Sequence, residues 1–203
     1  ARRAAAVGGL SPASLAILAA HRPGITVSGH VGNWEILSQL VCLQGRRIVS
    51  VAKPIGTPRM TELLMKSRRS IGQDIVPATG AFKHLMQGLK DGADIGLLVD
   101  QFVNPKDGGV WVRFFGKPIC VSVAPAFLCA KTHVPILVAW SRPLKDGHYR
   151  CEFIKPFVYE KGMDIWVRTQ EVVAALESVI RRHPSIWVLN YRYWNEQPTP
   201  EAL

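Results

Sequence analysis

The sequence has no apolar run near the roughly 18 residues needed to cross a bilayer, so no segment of it reads as a membrane span. It has no Cys-x-x-Cys pair. Cys42, Cys120, Cys129 and Cys151 are scattered without zinc-ligand spacing, and no metal ligand set is expected. Cys42 and Cys129 sit in apolar, helical surroundings, as buried reduced thiols do, which suits a reducing, cytosolic compartment. Acid is scarce: 15 Asp and Glu stand against 25 Lys and Arg, a net charge of +10. Such a balance favours acidic partners: anionic lipid, an acidic protein or nucleic acid. The basic residues are nevertheless dispersed, apart from short clusters at Arg46-Arg47, Lys66 to Arg69 and Arg181 to His183. No zinc finger, helix-turn-helix or aromatic RNA-binding pattern accompanies them, so nucleic acid is not expected as a partner. Repeats, low-complexity tracts and linkers are missing as well, which excludes solenoid and multidomain organisation. There is no Gly-x-Ser-x-Gly elbow. The basic start lacks the apolar core and cleavage site of a signal peptide, and a first residue other than methionine suggests a truncated chain.

What is present is a 203-residue chain, 48% hydrophobic, long enough to build one substantial core. Strand and helix signals alternate along it. A short helix is expected over roughly Pro12 to Ala20. "GITVSG" reads as a strand, followed by a helix over "NWEILSQLVCLQG" capped by Asn33 and ended by Gly45. "RIVSVAKP" is a second strand. Thr57-Pro58 opens the next helix, with Met60, Leu63, Leu64 and Ile71 expected on its buried face. "DIVP" is a short strand, and Thr79 is expected to cap "AFKHLMQGLKDG". "DIGLLVDQ" is continuously apolar, as in the middle of a parallel sheet. An extended "VWVRFFGKPI", a helix over "SVAPAFLCAKTH" and a strand over "VPILVAW" follow. An Asp-Gly turn then leads into "YRCEFIKPF", an antiparallel hairpin. The segment from Ile165 to Arg182 is amphipathic, and "SIWVLNYRYW" closes the fold. Residues 1–203 thus read as a single α/β domain with a mostly parallel, mixed sheet flanked by helices.

One stretch interrupts this regular alternation. In "TVSGHVGNWEILSQL" a histidine and a carboxylate, His30 and Glu35, flank the break between a strand and a helix. On one continuous helix they would stand about 140° apart and could not easily touch. If the helix begins at Asn33, His30 lies in a Gly-flanked turn and is free to fold back, with Gly29 and Gly32 supplying the backbone freedom. The arrangement suits a histidine general base with a carboxylate fixing its tautomer. The plainer alternative is a loop histidine beside a glutamate favoured by a helix start.

"GHVGNWE" resembles the His-x-x-x-x-Glu/Asp signature of the bacterial lipid A biosynthesis acyltransferases, the lauroyl/myristoyl transferase family. The likeness continues in order through "AKPIGTPRMTELLMKSRRSIGQDIVP", "GADIGLLVDQ" and "GGVWVRFFGKPICVSVAPAFLCAKTHVPILV", from about Ile25 to Trp194. The resemblance implies a glycerolipid-acyltransferase-like fold. It also implies acyl transfer from a thioester, usually on acyl carrier protein and otherwise on coenzyme A, to a hydroxyl of an anionic glycolipid or phospholipid. His30 would take the proton of the acceptor hydroxyl and Glu35 would orient it; no cofactor beyond the acyl donor is implied. The setting would be the cytoplasmic face of a bacterial inner membrane. The family's amino-terminal membrane helix is not in the sequence, which leaves a peripheral protein or an anchor lying outside this chain.

Other positions carry weaker signals. Arg68 matches a family arginine, and with Met60 at the centre of the buried face it would border the core about 80° away. A charge there needs a phosphate or carboxylate partner, as substrate contact or as structural salt bridge. Asp100 and Gln101 end a buried strand, where open α/β sheets bind ligands; a loop-fixing network is their alternative. Asn33 and Lys53 complete the expected substrate-binding set, Lys53 being by default a solvated rim residue. Phe114 and Phe115 could line an acyl groove or belong to the core. His21, His84, His133, His148 and His183 read as structural or exposed. Tyr191 and Tyr193 stand where the family pattern has His and Arg, and Thr57 where it commonly has Asn, which unsettles the acceptor more than the chemistry. A thioesterase-like hydrolase and a non-catalytic lipid-binding module remain the alternative functions.

Overall fold

The computed structural model describes residues 8–198 apart from Lys53, Ile55 and Lys155. In chain order its elements are β1 (Gly8–Leu10), α1 (Pro12–Ala20), β2 (Ile25–Ser28), α2 (Trp34–Leu43), β3 (Ile48–Val51), α3 (Pro58–Arg69) and β4 (Gln73–Val76). They continue with α4 (Ala81–Lys90), β5 (Asp94–Leu98), β6 (Gly109–Phe114), β7 (Lys117–Ser122), α5 (Ala124–Thr132), β8 (Ile136–Pro143), β9 (Tyr149–Phe153) and α6 (Ile165–Arg182). Local chemistry sets most helix starts. Side-chain oxygens of Ser11, Asn33, Thr57 and Asp164 accept from backbone N–H groups of the first turns of α1, α2, α3 and α6. Pro12 and Pro58 then occupy first helical positions, where no N–H is needed.

Seven strands form one sheet in the order β1-β9-β8-β2-β5-β3-β4. β8, β2, β5, β3 and β4 are parallel, and β9 runs antiparallel to β8 with β1 parallel beside it. β2 is central and all four of its residues are buried, as expected of a strand covered on both faces. One face packs Leu18, Leu37, Leu40 and Val41 from α1 and α2 against Leu137, Ala139 and Phe153. The other packs Leu85, Leu89, Leu128, Val172 and Leu176 from α4, α5 and α6 against Ile136 and Val138. Each such fully buried aliphatic side chain stabilises the fold by about 1.5–3 kcal/mol.

The structure departs from the sequence reading in four places. β1 forms just ahead of the expected helix Pro12–Ala20, where no element was expected, held in register with Tyr149 to Cys151 rather than by its own composition. The extended "VWVRFFGKPI" is a hairpin, β6 against β7, that stands apart from the main sheet. Gln170 ties the hairpin to α6, accepting from the Arg113 N–H at 2.7 Å and donating to the Arg113 carbonyl at 2.9 Å. Gly80, with φ +71°, caps α4 without a side-chain bond, so Thr79 does not serve. Met60 and Leu63, expected to be buried, are 57% and 62% exposed. The physical reason is Arg68, the one buried residue among those of α3. Its contact with α2 rotates the helix so that Leu64 and Met65 are half-buried while Met60 and Leu63 turn outward.

Candidate active site

The site follows from strand register. β2 and β5 pair in parallel with Ser28 opposite Leu98, and the Val99 N–H donates to the Ser28 carbonyl at 2.9 Å. Both chains run on for two residues, which brings His30 and Asp100 side by side at the carboxyl ends of adjacent central strands. This is where open α/β sheets present their ligands. The Asp100 carboxylate is almost wholly buried, at 2% exposure. Its Oδ1 lies 2.8 Å from His30 Nδ1, and its Oδ2 accepts from the His30 backbone N–H at 2.8 Å and from Trp187 Nε1 at 3.2 Å. Gly29 permits this approach: a Cβ there would come within 3.0 Å of the Asp100 carboxylate.

A carboxylate only accepts, so the proton between the two side chains sits on Nδ1, leaving a lone pair on Nε2. Gln101 Nε2 is 3.4 Å from that nitrogen. The Trp34 ring meets the imidazole edge-on, its centroid 4.7 Å away. The His30 side chain keeps 20% of its surface exposed. A ring with one nitrogen held by a buried carboxylate and the other reachable can take up and return a proton.

The turn between β2 and α2 is pinned from several sides. Gly32 has φ +64°, and a Cβ there would fall 1.8 Å from the Ser141 carbonyl oxygen, so only glycine fits. Ser141 Oγ accepts from the Asn33 N–H at 2.7 Å and donates to the Asn33 carbonyl at 2.9 Å. The carboxyl-terminal segment closes the other side. The Gly32 N–H donates to the Ile186 carbonyl at 2.7 Å and the Val188 N–H to the His30 carbonyl at 2.9 Å.

Glu35 is used differently from the expectation. Arg68 grips it with two nitrogens: Nε donates to Oε2 at 3.1 Å, and Nη2 makes a second, closer contact with Oε1. Among the described residues no hydrogen bond or ion pair joins Glu35 to His30; the ring's carboxylate is Asp100. Asn33 caps α2, its Oδ1 accepting from the Ile36 N–H at 3.0 Å, rather than presenting a free side chain. Lys53 lies outside the described residues. Of the expected set, then, the structure brings together His30, Asp100 and Gln101, and separately Glu35 and Arg68.

Three residues at the site stand outside the expected site set. Trp187 and Ser141 belong to segments distant in the chain, and their place beside Asp100 and the histidine turn becomes visible only with the fold. Tyr193, noted as a departure from the family pattern, donates to the Val188 carbonyl at 2.6 Å, its oxygen 3.5 Å from Asp100 Oδ2. Burial first, then the Asp100 charge, hold its phenol well above the ordinary tyrosine range. Phe114 is core, at 1% exposure. Phe115 stacks on Trp187 at 5.3 Å, so both rings back the site. His148 is exposed, 3.2 Å from Asp146 on the hairpin turn. Among the described residues no cluster of His, Cys, Asp or Glu converges as metal ligands would, and no helix is long and apolar enough to cross a membrane.

Comparison with known proteins adds lineage to this geometry. The family described as bacterial lipid A biosynthesis acyltransferase matches residues 14–196. Two curated relatives, phosphatidylinositol mannoside acyltransferases from Mycobacterium tuberculosis strains CDC 1551/Oshkosh and ATCC 25618/H37Rv, are 24% identical over 194 residues. The alignment covers 93% of this chain and 59% of each relative, so the chain spans about three fifths of their length. A solved structure, the 1-acyl-sn-glycerophosphate acyltransferase from Thermotoga maritima, shares the fold with a TM-score of 0.53 at 14% identity, over 90% of this chain and 74% of that one.

Proposed function

The chain belongs to the bacterial lipid A biosynthesis acyltransferase family, and from that premise we propose that it moves a fatty acyl chain from an acyl thioester to a hydroxyl of a bacterial glycolipid such as a lipid A precursor. The observation that carries the chemistry is the His30–Asp100 pair, 2.8 Å apart, with Nε2 left open at the carboxyl end of the sheet. In the resting site the Gln101 amide donates toward Nε2. An acceptor hydroxyl takes that place and gives its proton to Nε2 as its oxygen attacks the thioester carbonyl. Asp100 holds the Nδ1 proton and stabilises the imidazolium. The tetrahedral intermediate collapses with cleavage of the carbon–sulfur bond, and the departing thiolate recovers the proton from Nε2. Ester and thiol are the products, and no acyl-enzyme forms. Gln101 is then free to donate to the oxyanion. Glu35 and Arg68 brace the start of α2 against α3 and so keep the histidine turn in place.

The net charge of +10 supports an acidic donor such as acyl carrier protein, with acyl-coenzyme A as the second candidate. The natural setting in this reading is the cytoplasmic face of a bacterial inner membrane. The names of the mycobacterial relatives favour a second acceptor, a phosphatidylinositol mannoside. Incubation with each acyl donor and a bacterial lipid extract, followed by mass spectrometry, separates the two and names the chain transferred. Acyl transfer that requires lipid and disappears in His30→Ala is expected. Thioester cleavage at the same rate with and without lipid would identify a hydrolase instead.

A further inference from the structure

We propose that the outward face of α3 seats on an anionic lipid bilayer. The helix has the wrong face buried for an ordinary amphipathic element: Arg68 points in, while Met60 and Leu63 stand out at 57% and 62% exposure. At 100° per residue, Arg59, Met60, Leu63, Lys66 and Ser67 share an outward arc of about 120°. All five are exposed. The arc holds two cations and two large apolar side chains and no carboxylate, Glu62 falling at its border. A protein partner usually receives an apolar helix face in a groove, or supplies one. Here Leu63 projects from a convex helix with Arg59 and Lys66 along one flank and Met60 along the other, a basic edge beside an apolar strip such as a helix lying in a lipid interface presents. Each basic residue near an anionic leaflet adds attraction, and the chain's net charge of +10 brings it there.

The placement also serves the chemistry. Across the helix from this arc, Arg68 grips Glu35 in the first turn of α2. A bilayer seated on α3 therefore lies one helix away from the turn that carries His30. The docking goes beyond the catalytic reading, because it stands on a surface and is measured without turnover.

The test is flotation of the chain with vesicles of phosphatidylglycerol and phosphatidylethanolamine, compared with phosphatidylcholine vesicles. Wild type is expected to float with the anionic vesicles. Met60→Glu/Leu63→Glu should lower that partition by at least about tenfold, since two apolar anchors are lost and charge is reversed. Arg59→Glu/Lys66→Glu should abolish the preference for anionic lipid. Trp166→Glu/Val167→Glu, on an exposed apolar pair of α6, should float as wild type does. Unchanged thermal melting of each variant shows that the fold is kept. Wild type that does not float, or α3 variants that float normally, would overturn the proposal. So would α3 variants that keep vesicle binding but lose binding to acyl carrier protein, or that only change from dimer to monomer. Wild type that floats with anionic vesicles but transfers no acyl chain would count against the reading of His30 and leave this one standing.

Discussion

β5 carries a buried aspartate at each end, and the two are put to opposite uses. Asp94 opens the strand and Asp100 follows it; each is 2% exposed. Around Asp94 everything is closed. Its Oδ1 accepts from the Gly24 N–H at 2.8 Å and from Arg46 Nη2 at 2.6 Å, and Oδ2 meets Arg46 Nε. The same guanidinium donates to the Leu18 and His21 carbonyls at 2.6 and 2.7 Å. Arginine stays charged at any working pH, so this end ties α1 to the sheet permanently. Asp100 is satisfied as fully, but its side-chain partner is a histidine with a second nitrogen to spare. A buried carboxylate paired with arginine is a clamp; paired with histidine it becomes a device that moves a proton.

Exchanging or removing these partners breaks the comparison in measurable ways. The largest effect is expected for His30→Ala, which should lower acyl transfer by about 10³-fold or more while costing only about 1–3 kcal/mol of stability, because Asp100 keeps its bonds to the residue 30 backbone N–H and Trp187. Next comes Arg46→Met at the closed end. It strands the Asp94 charge and should destabilise the fold by about 3–5 kcal/mol in urea titration, with turnover per folded molecule kept. Glu35→Gln should fall between the two ends, costing about 1–3 kcal/mol through the Arg68 contact and reducing turnover about tenfold or less.

The smallest effect concerns the thiols. Burial pushes Cys42 and Cys151 up to about 12, from an ordinary value of 9.0. In the unfolded chain they ionise first, so the stability they permit is full below pH 9 and drains as pH rises toward 12. At pH 10 the loss is on the order of 1 kcal/mol per thiol. A urea midpoint that falls between pH 9 and 10, and falls less in Cys151→Ala, would show it.

Much of this fold was legible because its signals are local. The Asn33 cap, the Thr57-Pro58 start and the apolar runs of β2 and β5 each declare themselves within a few residues. His30 and Asp100 were legible one at a time, as polar residues ending buried strands. Their pairing was not, because it is set by the register of β2 on β5 across a long stretch of intervening chain. Spacing left the histidine's partner open, and the resemblance to the family motif assigned it the near neighbour Glu35 instead. Arg68 was visible as a charge bordering the core that needs a partner. That its partner would be Glu35, and that the contact would turn Met60 and Leu63 outward, depends on how α3 packs on α2.

The comparison of acyl transfer by Asp100→Asn and Glu35→Gln across a pH series tests the central claim most directly. If Asp100 fixes the tautomer of His30, Asp100→Asn loses about 10³-fold or more in kcat, with an altered pH profile and little change in melting temperature. Glu35→Gln then keeps the wild-type profile. Asp100→Asn transferring acyl chains at near wild-type rate while Glu35→Gln is dead would contradict the account.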